Sequence, residues 1–422
     1  MKKDIERAID ALHTRRPLTE KYERYYNGDH DLRFATEKFE NTFGKLFREF
    51  ALNLCPIICD AVKDKLLVKG FSVESSPHLT ERVDAAVRDV WSRNRMAIRS
   101  GEVHKEALRQ GDGFVLVWPD VNRRPCIYPQ HSAGIAVFYE ESRPDTIEFA
   151  AKCWLDGKKH TRLNLFYPDR TERYISRMQN VSAAAEVKDM MPAGPAIANP
   201  YGRVPLFHFA NNSEIGSAGR SELEAALPIQ DGLNKAVLDM LVAMEFAAFR
   251  QRWAAGIEVE YDSDGNAVAP FTSGVDSLWI AGDPSARFGD FQAAELEQFL
   301  KVKEGFRVDI ATVTGTPLHY FVQDAAAFPS GESLRQASAR FIAKVLSRQL
   351  AYGQVWADVM SFALAIQGIR GTQLVTLWQD PSPLSERERL QILLLKKQLG
   401  IPRSELVIEA GYGAEAAKGE PS

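Results

Sequence analysis

Helical spacing of apolar positions runs through residues 4–26, broken near Pro17, and the run Asn27-Gly28-Asp29-His30 then supplies a turn. A second helical stretch covers about 41–68 and ends at Gly70. Residues 79–110 divide into two more helices, with the break near 99–101. At Gly111-Asp112-Gly113 the period changes. Short apolar or alternating runs at 114–118, 135–139, 147–154, 162–167 and 173–177 are parted by turn residues, the pattern of a mostly antiparallel β region. A stretch rich in Ala, Pro and Gly, 181–202, reads as a loop before a last strand at 204–209.

The next segment has a different character. A helix opens at about Ser221, with Pro228 suited to its first turn. Over 229–253 apolar residues occupy almost every face, among them Leu233, Val237, Leu241, Met244 and Phe249. Such a helix would be roughly 38 Å long. Lys235, Asp239, Glu245 and Arg250 interrupt it, which argues against a membrane span of about 20 apolar residues. Outside a membrane, a helix apolar all round must be buried on several sides, and neighbouring subunits can do this as readily as its own chain. Strands at 257–261 and 275–280, around Ser263-Asp264-Gly265-Asn266, make a small β insertion before a helix at 293–313. Residues 314–331, with Pro317 and Pro329, are irregular; a long helix over 332–367 follows, then a strand at 374–378 and helices at about 385–399 and 403–410.

Composition narrows the classes. The 422 residues are 45% hydrophobic and 26% charged, ordinary for an α+β chain of two or three domains. A net charge of −4 lacks the basic excess of a tight, sequence-reading DNA binder. In MKKDIERAIDAL, charges interrupt every apolar pair, so no secretory leader is expected. Cys55 and Cys59 have no second Cys/His pair at ligand spacing and read as buried, unbridged thiols, which fits a reducing, intracellular setting. No phosphate-binding GxxxxGK[ST], HExxH, GxSxG or strand-borne GxGxxG occurs. Asp112, between two glycines, reads as a turn residue, and Glu140, Glu141, Asp145 and Glu148 as a solvated hairpin end. No catalytic residue, metal site or cofactor is expected, which sets aside a nuclease or a packaging ATPase.

Four segments carry a resemblance: RYYNGDH (24–30) with LNLCPIICDAVKDKLLVKGF (52–71); ALRQGDGFVLVWPD (107–120); GRSELEAALPIQDGLNKAVLDMLVAMEFAAFRQRW (219–253); and TGTPLHYF (314–321) with PSGESLRQA (329–337). In this order and spacing the chain resembles the portal proteins of siphophages that infect Gram-positive and actinobacterial hosts, the gp6-like portal or head–tail connector family. The resemblance implies an α+β portal fold. Residues 1–218 would be an α/β wing, 219–254 the first stem helix, 255–292 a small β clip and 293–313 the second stem helix. Residues 314–331 would form the tunnel loop, 332–383 the long helix and return to the wing, and 384–422 a short helical crown.

It also implies a ring of twelve subunits at one capsid vertex of the virion, assembled in the host cytoplasm and devoid of covalent chemistry. Double-stranded DNA would pass through it without sequence preference. The terminase packaging motor, a head–tail adaptor, and the major capsid and scaffolding proteins would be its partners, and no membrane is involved. His319, Gln323, Asp324, Ala325, Ala326 and Ala327 would face the channel. Tyr320, Phe321 and Phe328 would anchor the loop on the long helix. Leu233, Val237, Leu241, Met244 and Phe249 would lie at the stem's subunit interface. Arg340, Lys344 and Arg348, spaced four apart on one helix face, are candidates for touching DNA or a neighbour's carboxylates, against the reading of a solvated face. The competing assignment is another phage head–tail protein, an adaptor or minor capsid protein; the two long helices around a β insertion argue against it.

Overall fold

The computed structural model describes residues 2–34, 41, 50–73, 77–179, 189–214, 218–248, 252–256, 260–261, 263, 267–268, 284–290, 296–322, 331–382, 386–402 and 406–407. The chain divides into two compact units, one of Met1–Thr19, Cys59–Ser221 and Gly315–Ser422, the other of Glu20–Ile58 and Glu222–Thr314.

The first unit is built on an antiparallel sheet, β4 (Ile135–Glu140), β5 (Arg143–Leu155), β6 (His160–Phe166), β7 (Arg170–Gln179) and β8 (Met190–Pro192), with β9 (Ile197–Ala198) also paired to β7. Period-2 alternation sends its apolar residues to two faces. Ala136, Phe149, Ala151, Cys153, Leu163 and Leu165 pack against Ile5, Ala8, Ile9 and Leu12 of helix α1 (Lys2–Tyr26). Their neighbours Ile135, Ala150 and Phe166 pack the other way, onto Phe114 and Leu206 of a three-stranded sheet, β10 (Leu206–Ala210), β2 (Asp112–Pro119) and β3 (Pro125–Gln130). α1 runs unbroken through Pro17, contrary to the expected interruption. The proline is exposed while Leu12 and Thr19 on either side of it are buried, so packing offsets one lost backbone hydrogen bond.

Within the helix expected over about 41–68, residues 51–54 and 64–67 are not helical, so helix α2 covers Cys55–Lys63, and Gly70 lies inside β1 (Val68–Val73) rather than past a helix end. Helices α3 (Pro77–Arg93) and α4 (Met96–Gln110) part at Asn94-Arg95, earlier than expected, where Arg95 takes φ 54°. Strand β3 escaped notice because Pro125 and Pro129 mask it; it is an edge strand, where missing N–H groups are tolerated. In the second unit lie α5 (Leu227–Ala248) and α6 (Leu296–Thr314), joined through strands β11 (Arg252–Ala255), β12 (Glu260–Tyr261), β13 (Ala267–Val268) and β14 (Arg287–Asp290). The first unit is completed by α7 (Gly331–Ile366), β15 (Leu374–Trp378), which pairs with β1, and α8 (Glu386–Gln398). Among the described residues no helix is long and apolar enough to cross a membrane, and no group of three or more His, Cys, Asp or Glu side chains is gathered as metal ligands would be. None of the four cysteines is joined in a disulfide; Cys55, Cys59 and Cys153 are buried.

Candidate functional site

The root of α5 is polar and buried. Gln230, Asp231 and Asn234 are at most 2% exposed, and each is fully engaged. The Leu54 N–H donates to Gln230 Oε1 (3.0 Å), Gln230 Nε2 to the Leu52 carbonyl (2.7 Å), and the Leu52 N–H to Asn234 Oδ1 (2.9 Å). Asn234 Nδ2 donates to His30 Nδ1 (2.7 Å), which leaves His30 Nε2 to donate to the Tyr25 carbonyl (3.0 Å). The Tyr25 hydroxyl donates to Asp231 (2.8 Å). Burial raises the Asp231 carboxyl above its ordinary value, the Tyr25 hydrogen bond and the Arg33 charge opposing it, and burial lowers the His30 imidazole. Farther along α5 the cover thins: Leu233 and Leu238 are buried, Val237 and Leu241 half-buried, and Met244 is 45% exposed.

α5 and α6 pack antiparallel. The start of α5 meets the end of α6 where Gly232 lies against Phe306, and β11, which follows α5, pairs with β14, which precedes α6. A Cβ at Gly232 would stand 3.0 Å from the Phe306 ring. Gly232→Val is therefore expected to lower the thermal midpoint, at a cost of about 1–3 kcal/mol. An unchanged midpoint would show that Phe306 yields freely. Along α6, Leu300, Val302, Val308 and Val313 are exposed.

After α6 the chain turns at Gly315 (φ 64°) into a short 3-10 helix, Leu318–Tyr320. His319 is half-buried with its ring on Tyr320, and burial lowers its pKa, so it is neutral at pH 7. Tyr320 rests in turn on Phe341 of α7 at 5.7 Å between ring centroids, and Phe321 is buried. Along α7, Arg340 is exposed, Lys344 half-buried and Arg348 buried.

A buried ionic cluster sits at the start of β2. Asp112 receives Arg15 (2.5 Å), His208 Nε2 (2.7 Å) and the Gly219 N–H (2.7 Å). Burial alone would raise its carboxyl, but the His208 hydrogen bond and the charges of His208 and Arg15 outweigh that and hold it below its ordinary value. The Tyr139 hydroxyl lies 2.7 Å from His208 Nδ1, completing a hydroxyl–imidazole–carboxylate row. The row works structurally. Burial pushes the Tyr139 phenol up to about 12, and Asp112, engaged by Arg15 and His208, also accepts the Gly219 N–H, one of the bonds that grip residues 219–221. That grip includes Asn211, which takes the Arg220 N–H at 2.6 Å, and the Arg109 carbonyl, which takes the Ser221 hydroxyl at 2.5 Å. Gly111 (φ 90°) and Gly219 cross so closely that a Cβ at Gly219 would overlap the Gly111 carbonyl.

Compared with known proteins, the chain matches the profile of the family described as phage portal protein, SPP1 Gp6-like, over residues 5–409. The chain belongs to that family. The portal protein of Mycobacterium phage L5 is 26% identical over 383 residues, spanning 84% of this chain and 75% of the phage protein. That of Mycobacterium phage D29 is 25% identical over 193 residues, 43% of this chain and 39% of its own. Among solved structures, a chain from the neck of a native gene transfer agent particle, computed with C12 symmetry, aligns with a TM-score of 0.50 and 15% identity over 90% of this chain and 95% of its own. At that identity the likeness speaks to the fold, which it shares.

With portal membership, the function expected from the sequence and a place in the phage virion stand. One of the expected contact residues needs correction, and a second is buried. Leu233 is 0% exposed within its own chain, so it is core and offers a neighbouring portal subunit nothing. Arg348 is 7% exposed within its own chain, one helical turn beyond the half-buried Lys344. Gln323, Asp324, Ala325, Ala326, Ala327, Phe328 and Phe249 lie outside the described residues, as does the strand expected at 275–280. The Asp112 cluster was missed altogether. The local motif Gly-Asp-Gly looks like any turn, and its three partners come from positions 15, 208 and 219.

Proposed function

We propose that twelve copies of this portal-family chain form a ring at one capsid vertex, with double-stranded DNA passing along its axis. The observation that carries this reading is the α5–α6 hairpin. Its own chain buries the root, while Met244, Leu300, Val302, Val308 and Val313 stay exposed, an apolar surface that neighbouring copies would cover. The number twelve takes support from the C12 symmetry of the gene transfer agent neck. On this reading 1–218 is the wing, 219–254 and 293–313 the stem, and 255–292 the clip. Residues 314–331 are the tunnel loop, 332–383 the long helix with its return, and 384–422 the crown. Val237, Leu241 and Met244 are stem contacts, His319 and Arg340 face the channel, and Lys344 touches a neighbour. The clip docks the terminase motor during packaging and head–tail adaptors afterwards; capsid and scaffolding proteins meet the wing during assembly in the host cytoplasm. The ring holds and guides the duplex without sequence preference and performs no covalent chemistry.

Negative-stain imaging with native mass measurement tests the ring. Washers with a central hole at twelve chain masses are expected. Single chains as the main species in moderate salt would overturn it.

A further inference from the structure

The sheet of β4 to β9 has two ends of unlike charge. On β5, Phe149, Ala151 and Cys153 pack toward α1, so Ala150, Lys152 and Trp154 belong to the opposite face. Ala150 and Phe166 of that face lie under the three-stranded sheet. Toward the β5–β6 turn the face continues as two cross-strand rows. Lys152, Asn164 and Arg173 stand side by side on β5, β6 and β7, and Trp154, Arg162 and Ile175 form the next row. All six are half-buried. The Lys152 ammonium lies over the Trp154 ring, 5.2 Å from its centroid, and burial lowers its pKa. Arg173 Nε is buried and meets no acceptor among the described residues. Arg162 is taken by Asp156 (2.8 Å), whereas Lys152 and Arg173 make no ion pair among the described residues. Lys158, Lys159 and Arg177 border this end, so six positive charges stand against Asp156 and Asp189 among the described residues.

The other end of the strands is acidic. Residues 141–145, the turn between β4 and β5, are exposed throughout. Arg143 gives two hydrogen bonds to Glu140 (2.9 Å each), and Arg7 pairs with Glu148 (3.1 Å). Glu141 and Asp145 are left with no ion pair among the described residues. From Asp145 to Lys152 along β5 is roughly 20 Å, far beyond the reach of an ion pair. The acidic tip therefore cannot neutralise the basic face of its own chain, but the tip of a second copy placed head to tail can.

We infer that Glu141 and Asp145 of one copy seat on Lys152 and Arg173 of the next, head to tail around the ring, with Pro144 against Trp154 and Ile175. The inference rests on the ring reading and adds to it the surfaces that join the copies. A contact between two different patches leaves each copy with one tip and one face free until the ring closes. Like charges oppose tip-to-tip and face-to-face pairs, so the same patches also fix the direction in which copies add. The half-buried cations are already partly stripped of water, which favours a carboxylate there over one at a fully solvated lysine.

The full-length chain is compared with a face variant, Lys152→Glu with Arg173→Glu, and a tip variant, Glu141→Lys with Asp145→Lys, by native mass measurement and negative-stain imaging. Each variant alone is expected to need at least about tenfold more protein than the parent to form rings, since like charges then meet at every contact. Mixed one to one, the two should regain rings at the parent's concentration, because each tip then fits the other variant's face. Rings from either variant alone at the parent's concentration would overturn the inference. So would two variants that melt with the parent yet recover no rings on mixing. Loss of rings in the face variant only would also overturn it, and would assign the face to an acidic segment of a different protein. If the face variant melts below the parent, the tip variant decides alone, because its changes lie on an exposed turn. Rings kept would then sink the inference, and rings lost but regained as salt rises would carry it. A parent that forms no rings would overturn the ring reading and the inference together.

Discussion

Acidification from about pH 7.5 to about 4.5 should destabilise the first unit by roughly 2–3 kcal/mol through His104 alone. This histidine of α4 is 0% exposed, stacked on Tyr352 (5.5 Å) and ringed by Trp356 and Trp378. The Trp356 indole N–H, which can only donate, gives its hydrogen to His104 Nε2 at 2.8 Å, so the imidazole is neutral with its proton on Nδ1. Burial lowers its pKa from 6.5 to about 3, and the Leu66 backbone offsets a small part of that. Below pH 6.5 the unfolded chain takes up a proton that the native core refuses. Stability conferred by the neutral ring is thus whole above 6.5 and declines as pH falls toward about 3, by about 1.4 kcal/mol per unit. His104→Gln keeps an acceptor for Trp356 without a titrating group. Urea denaturation followed by tryptophan fluorescence between pH 7.5 and about 4.5 should show a flatter decline in this variant. Parallel declines would remove His104 as the cause.

The second large effect is expected at Asp112. Its replacement by Ala leaves Arg15 and His208 buried without a counter-charge and the Gly219 N–H without an acceptor, a loss of about 3–5 kcal/mol. Asp112→Asn keeps one acceptor and should cost less. Hydrogen exchange at Gly219 and Arg220 should accelerate in both variants before the rest of the unit opens, because the cluster grips that segment directly. A loss under about 1 kcal/mol with unchanged exchange at Gly219 would show that Asn211 and Ser221 hold the segment unaided.

Element type and order were legible because both are local properties. Period 2 marks β4 to β7, and period 3.6 marks α7 to within a residue at each end. Where a proline stood, local reading failed in both directions. Pro17 did not break α1, whose buried residues on either side hold it, and Pro125 and Pro129 hid β3, whose outer edge needs no N–H. Those outcomes depend on what lies against each segment.

The contact residues show the same division. Arg340, Lys344 and Arg348 share a face by spacing, yet exposure falls along it from the first to the last. On the next position, Gln349 Nε2 donates to the Lys65 and Gln379 carbonyls, and four residues on, Gly353 lies against Trp378, so this part of α7 is roofed by the returning strand β15 and by chain near Lys65. Leu233 could be recognised as apolar but not as core. The sequence by itself determined the elements, their order and the portal family, because helix and strand periods and motif spacing are written in neighbouring residues. Only the tertiary structure decided which face of α7 is roofed, that Leu233 is sealed within its own chain, and that Asp112 is a buried anchor rather than a turn, because burial and ion pairing are set by residues well separated in sequence, as Asp112 is from Arg15, His208 and Gly219, that no local pattern connects.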